Sequence, residues 1–399
     1  MTATVRRRTG SAGPGERAPS ARRTPPDAAG DAALTMGVEE EFFLVDRRTR
    51  APVPRAAQVL AALSTELGPQ AQSEFYSCQL EMCTQPTASA IQLREQLRAL
   101  RATAALAARE AGCLLVGAGT AVVPPREPVP VTDTPRYRRM AGYYGALVDG
   151  SLGVVCGCHV HIGSVDRSRA LDLSNRLRPY LPALQALAVN SPFHGGRESG
   201  YASRRAVEFG RWPTVEPAPV LDPAGYEQTA DALVRSGILL DRAMIYWFTR
   251  PSEHVPTVEI RIADVSADPD TTLLLALLVR GLCTVFTAEA AAGGGPPPEV
   301  PYGRLRAAHR SAARHGRTGA AVDPLTGDTV TGQGLITALL RRAEPGLDAA
   351  GDLAEAERLL DGLQRYGTGA ERQRAVYRRT GSLTAVVDDL AASTAPEPR

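Results

Sequence analysis

Four stretches of the chain place two polar side chains at spacing two inside an otherwise apolar run: "GVEEEFFLVD" (37–46), "YSCQLEMCT" (76–84), "GVVCGCHVHIG" (153–163) and "TVEIRIAD" (257–264). Side chains alternate across a strand, so residues two apart share a face. Glu39 and Glu41 therefore point one way, as do Gln79 with Glu81, His159 with His161, and Glu259 with Arg261. The reverse faces carry Val38, Phe42, Leu80, Met82, Val160 and Ile260, with Glu40 as the charged exception. If these strands join one sheet, one face is apolar and packs on helices, and the other is a floor of Glu, Gln, His and Arg. Three consecutive acids repel one another and are costly to bury. Such a floor requires cations between its carboxylates.

Several carboxylates with one or two imidazoles and no thiolate form an oxygen-dominated set suited to Mg²⁺ or Mn²⁺. "CGCHVHIG" invites a zinc reading, but strand parity sends Cys156 and Cys158 to the face opposite His159 and His161, so the cysteines read as small core residues. "CLLVGAGT" does not complete G-x-G-x-x-G, which argues against a dinucleotide site. The chain has no lysine; all 45 of its basic residues are arginines. That excludes a Walker-type phosphate loop and a lysine Schiff base, so any phosphate must be handled by arginine and metal. A net charge of +2 gives no electrostatic reason to expect nucleic-acid or membrane binding. No uninterrupted apolar run approaches the roughly 18 residues of a membrane span. Six scattered cysteines without a secretory signal read as reduced thiols of a cytoplasmic protein.

Residues 1–33, rich in Arg, Pro, Gly and Ala, read as a disordered tail, and 393–399 as a second tail. Between them, 34–392 read as one domain in which strands alternate with helices over 55–67, 89–111, 167–189 and about 270–292, the part after 303 being largely helical. The class is α+β. The segment 190–213, "NSPFHGGRESGYASRRAVEFGRWP", is too irregular for a helix; it reads as an ordered loop whose Arg forks suit carboxylate or phosphate.

"GVEEEFFLVD", "QLEM", "CGCHVHIG", "NSPF…GR…SGYAS…GRWP", "RPS" and "PTVEIRIAD" stand in the order seen in the carboxylate–amine ligases known as glutamate–cysteine ligase type 2, and the chain resembles that family over about 36–290 and more weakly to about 390. The resemblance implies a glutamine synthetase-like curved antiparallel sheet with helices on its outer face. It also implies ATP as co-substrate, Mg²⁺ or Mn²⁺, and phosphorylation of a carboxylate, typically that of glutamate, before an amine such as that of cysteine displaces phosphate. By the same resemblance Glu39, Glu41, Glu81, His159 and Glu259 look like metal ligands, and Arg261 like the residue that stabilises the transferred phosphoryl group. Arg197, Tyr201, Arg205 and Arg211 match the substrate or nucleotide loop, which is the expected lid. Gln79 and His161 join the binding set, His161 as a residue that hydrogen-bonds behind a ligand rather than ligating. A homodimer is a further implication.

The chain departs from that family at Ala121 and Val122, at His194 and Arg204, and at Phe248 and Thr249, where an aspartate is expected. The extra Arg204 would suit a more acidic substrate. A hydrolase or phosphotransferase on the same floor, and a non-catalytic binder, are the competing readings.

Overall fold

The structure, a computed structural model, describes residues 33–148 and 153–395. The expected first tail lies outside these except for residue 33. The strands are β1 (Met36–Asp46), β2 (Ala71–Ser73), β3 (Gln79–Cys83), β4 (Cys113–Val116), β5 (Gly157–Ile162), a small hairpin of β6 (Phe193–His194) and β7 (Arg197–Glu198), then β8 (Thr249–Pro251) and β9 (Val258–Asp264), and a separate pair of β10 (Ala320–Val322) and β11 (Thr329–Thr331). The main sheet is antiparallel in the order β2-β3-β1-β5-β9-β8, with β4 also pairing β1. β1 is long enough to pair with three strands, β3 over its middle, β4 towards its end and β5 at its start.

The helices are α1 (Ala56–Leu67), α2 (Ala90–Glu110), α3 (Pro135–Tyr143), α4 (Gly145–Val148), α5 (Arg167–Leu177), α6 (Leu181–Leu187), α7 (Arg205–Phe209), α8 (Pro223–Arg235) and α9 (Pro269–Ala291). After α9 come α10 (Tyr302–His315), α11 (Gly332–Ala349), α12 (Leu353–Tyr366), α13 (Gly369–Thr380) and α14 (Leu383–Thr394). Serine or aspartate caps begin α2, α5 and α9, where Ser89, Asp166 and Asp268 accept backbone N–H groups of the first turn. The single helix expected over 167–189 is two, because Pro179 and Pro182 interrupt the hydrogen-bond ladder between α5 and α6. The segment 190–213 holds the β6–β7 hairpin and the short α7 rather than loop alone. α14 runs to Thr394, whose buried hydroxyl accepts the Gly117 N–H at 2.8 Å, so the ordered chain passes beyond the expected boundary at 392.

Strand parity holds on the reverse face. Val38, Cys158, Val160, Ile260 and Ile262 join one apolar cluster with Leu93 and Leu97 of α2 and most of α9. Helix α9 is long and apolar enough to cross a membrane by length and composition, contrary to the expectation of no such segment, yet 78% of its most apolar window is buried inside the fold. It is apolar all round because sheet and helices cover it from every side. Glu40 lies on this face at 2% exposure. Arg101 of α2 meets it with Nε 2.9 Å from one carboxylate oxygen, and Thr272 donates its hydroxyl at 2.6 Å. The cation that balances this acid is a side chain, one residue past the leucines whose spacing marks α2.

Candidate active site

Register, more than composition, assembles the floor. Glu39 stands opposite His159, Glu41 opposite Glu81, and His161 opposite Glu259. Three overlapping groups result, in each of which the ligand atoms lie within 4.8 Å of one another: Glu39, Glu81 and His159; Glu39, His161 and Glu259; Glu41, Glu74 and Glu81. Glu39 is common to the first two and Glu81 to the first and third. The geometry thus gathers all five expected ligands and adds His161 and Glu74.

His161 was expected to stand behind a ligand. Its Nδ1 lies 2.8 Å from the Thr257 hydroxyl, while its buried Nε2 has no hydrogen-bond partner and faces Glu39 at 3.4 Å. A ring fixed at one nitrogen and bare at the other is the arrangement of a ligating imidazole. His159 sets Nδ1 3.1 Å from Glu39 and Nε2 3.8 Å from Glu41. Glu74 sits just after β2, outside any alternating strand pattern, so no sequence signal marks it.

The electrostatics are those of a site short of positive charge on one side and well supplied on the other. Burial pushes Glu74 up to about 8, with the Glu41 charge adding to it. Burial, then the charges of Glu74, Glu39 and Glu41, hold Glu81 well above the carboxylate range. Burial acts the same way on Glu39, but the His159 and His161 rings that face it outweigh burial and keep that acid ionised. For Glu259, burial is overcome by the Arg261 and Arg250 guanidinium charges, which hold it well below the usual range. Arg250 reaches Glu259 at 2.9 Å and also donates to the Ile245 carbonyl at 2.7 Å, and Arg261 is ion-paired to the other oxygen of Glu259. Repulsion among Glu41, Glu74 and Glu81 that the Arg261 charge offsets only in part is the chemistry of a divalent-ion site. The residues present fit Mg²⁺ or Mn²⁺. Cys158 lies in the opposite apolar cluster, as parity requires, so zinc is not favoured.

A cavity of about 90 Å³ opens on this floor, walled by Glu41, Glu74, Gln79, Arg205, Trp212 and Arg261 among others. Of the four expected loop residues, only Arg205 reaches it. Ser191 Oγ accepts the Arg205 N–H at 3.0 Å, and buried Asp264 accepts the Ser191 and Ser203 hydroxyls at 2.6 and 2.7 Å, which ties the loop to the end of β9. The Arg205 guanidinium passes over Gly157, where a Cβ would collide with it, and its buried Nε has no partner. Arg197 lies exposed on the hairpin, Arg211 is exposed beside Glu208 at 3.4 Å, and Tyr201 faces a different cavity. Gln79 is buried, its amide donating to the Val155 carbonyl at 2.7 Å and its oxygen accepting the Tyr76 N–H at 3.2 Å. It shapes the cavity edge more than it offers free groups. Arg204 does not present spare charge: its Nε donates to Glu208 at 2.8 Å. The aromatic wall of Phe75, Trp212 and Tyr246 was not anticipated from the sequence; Tyr246 lies under Arg261 with 5.5 Å from guanidinium to ring centre.

The model of glutamate-cysteine ligase family 2 matches residues 35–389. A Salinispora arenicola protein carried under the provisional name glutamate–cysteine ligase 2 is 42% identical over 370 residues, 92% of this chain and 97% of that protein. Among solved structures, the glutamate–cysteine ligase of Francisella tularensis in complex with AMP superposes with a TM-score of 0.67 at 12% identity, covering 92% of this chain and 90% of that one. A bifunctional glutathione synthetase from Pasteurella multocida gives 0.65 at 15%, covering 91% and 52%. At such identities these two establish the fold. The fold is α+β with an antiparallel sheet, as expected, and by the family match the chain belongs to glutamate–cysteine ligase family 2, ATP-dependent enzymes that form a carbon–nitrogen bond between a carboxylate and an amine.

Proposed function

We propose that the floor of β1, β3, β5 and β9 activates an amino-acid carboxylate, that of glutamate or a close relative, by phosphorylation from ATP, and that cysteine or another small amine then captures it. The observation that carries this reading is the set of three overlapping oxygen-rich clusters with Arg261 at their side. Glu39, Glu41, Glu81, His159 and Glu259, with Glu74 and His161, would hold Mg²⁺ or Mn²⁺, which supplies charge neutralisation for a phosphoryl group in flight. Arg261 takes the remaining charge on that group, and its ion pair with Glu259, itself braced by Arg250, fixes the guanidinium plane. Arg205, held by Ser191 and free at Nε, grips an anionic part of substrate or nucleotide. The carboxylate oxygen attacks the γ-phosphorus and ADP leaves. The amine nitrogen then attacks the acyl carbon, loses a proton and expels phosphate. An acyl phosphate is prone to hydrolysis, and the Phe75, Trp212 and Tyr246 wall restricts water on that side. Nothing in this sequence of steps requires lysine.

The experiment is ADP release with ATP and Mg²⁺, using glutamate with a panel of amines and identifying products by mass. ADP that appears only with one acid–amine pair, together with the amide mass, supports the ligase and names its substrates. ADP without amide would favour phosphotransfer. A homodimer, implied by the family resemblance, is to be read by light scattering. Six free cysteines, five of them buried, support a reducing compartment.

A further inference from the structure

Helix α7 stands between two cavities. Its Arg205 and Phe209 face the carboxylate floor, whereas Ala206, Val207 and the following Gly210 line a separate cavity of about 530 Å³ on its other side. The wall opposite is α10. Arg306, Arg310 and Arg314 recur there at four-residue spacing, so they rise from one face of the helix. None of the three forms an ion pair among the described residues; Arg306 lies over the Tyr302 ring and Arg314 over the Tyr201 ring. Glu216 is the one acid in the lining, and its carboxylate accepts the Tyr302 hydroxyl. Three like charges on one face repel, and no carboxylate among the described residues forms an ion pair with them.

The floor of the same cavity carries a second sign of a ligand. His309 is 5% exposed, with Nδ1 2.6 Å from the Gln185 amide oxygen and a buried Nε2 that has no partner. An amide oxygen accepts, so Nδ1 carries the proton and Nε2 is a bare acceptor. Burial keeps the ring neutral, pushing it down to about 3. A buried acceptor left without a donor is costly. Phe248, in the stretch where an acid was expected from the sequence, packs against His309 at a tilt, with 4.5 Å between ring centres. With Val207, Val215 and Pro217 it makes the middle of the cavity apolar.

We propose that this cavity binds a small organic anion that also carries an N–H or O–H donor, of the amino-acid or nucleotide kind, and that it does so without divalent metal. The anionic end meets the α10 arginines, the body lies on the apolar wall, and the donor satisfies His309 Nε2. Because α7 forms the partition, an occupant sits directly behind the helix that carries Arg205.

The test is calorimetric titration of the full-length protein in EDTA with AMP and, separately, with L-glutamate. Removing metal leaves the carboxylate floor repulsive to anions, so binding there is suppressed and the arginine cavity is read alone. Saturable binding of either probe is expected, weakened tenfold or more in R306Q/R310Q and unchanged in E41A. Which probe binds tells a nucleotide source from an amino-acid one. Both arginines are exposed, so the double variant should fold, with ligase turnover in the absence of added effector as the check. No saturable binding of either probe at millimolar concentration would overturn the proposal. So would binding that is lost in E41A and kept in R306Q/R310Q. Neither result bears on the metal-dependent ligase reaction, whose own test is product formation.

Discussion

Truncating Glu40 would strand Arg101, whose side chain is 1% exposed and draws its only carboxylate partner among the described residues from that acid. Leaving one member of a buried pair uncompensated costs about 3–5 kcal/mol. Glu40→Ala should therefore lower the melting temperature by many degrees. Glu41 is its chain neighbour and faces the floor, where it accepts the Gly157 N–H at 2.6 Å and crowds Glu74 and Glu81. Glu41→Ala loses one hydrogen bond and relieves repulsion, so melting should change far less while ADP release is lost. Equal destabilisation by the two substitutions would contradict the division of the strand into structural and catalytic faces. Arg261→Lys keeps the charge and loses the planar fork, and a loss of roughly 10²-fold or more in turnover is expected, since a transition-state arginine is worth about 10³–10⁵ in related phosphoryl chemistry. Near-normal turnover of the lysine variant would remove Arg261 from that role.

Among the elements, Gly157 and Gly346 are each required by close approach. Gly157 leaves room for the Arg205 guanidinium, and an added Cβ would overlap it. Gly157→Ala should displace Arg205 and depress activity with a modest loss of stability, to be read as kcat/KM against melting temperature; unaltered kcat/KM would show that Arg205 is not needed where the fold puts it. Helices α9 and α11 make the most extensive helix–helix contact of the fold, and at their crossing a Cβ on Gly346 would collide with the Gly281 carbonyl. Overpacking of this kind costs about 1–3 kcal/mol. Gly346→Ala should lower stability by that amount in chemical denaturation, with little effect on the floor. The expected lid, 190–213, is tied by Asp264 to the end of β9, so its Arg205 end is anchored to the same strand that supplies Glu259 and Arg261.

For the whole molecule, the floor couples stability to pH and metal. Glu74 stands at about 8 against an ordinary 4.5, so the folded protein holds a proton that the unfolded chain releases earlier. That contribution is complete below the ordinary value and is lost as pH rises through about 8. In EDTA the melting temperature should therefore fall across this window. Mg²⁺ should restore it more at pH 8.5 than at pH 6, where cation binding must first displace protons. Melting curves at the two values, with and without Mg²⁺, provide the check. The same Mg²⁺-induced increase at both would argue against cation binding at the raised carboxyls.

The alternation of Glu39 and Glu41, His159 and His161, and Glu259 and Arg261 was legible in the sequence, because strand parity depends only on neighbours two residues apart. So were the oxygen-rich character of the site, the core role of Cys158 and the absence of any lysine-based phosphate chemistry. Tertiary structure alone decided the register that sets Glu39 against His159, the entry of Glu74 from outside the strands, the pairing of Glu40 with Arg101, and which loop arginine reaches the floor. Each of these joins residues that lie far apart along the chain, and a one-residue slip of a strand would undo any of the cross-strand pairs. Local alternation is written in the sequence; which distant partner meets it depends on how the whole chain packs.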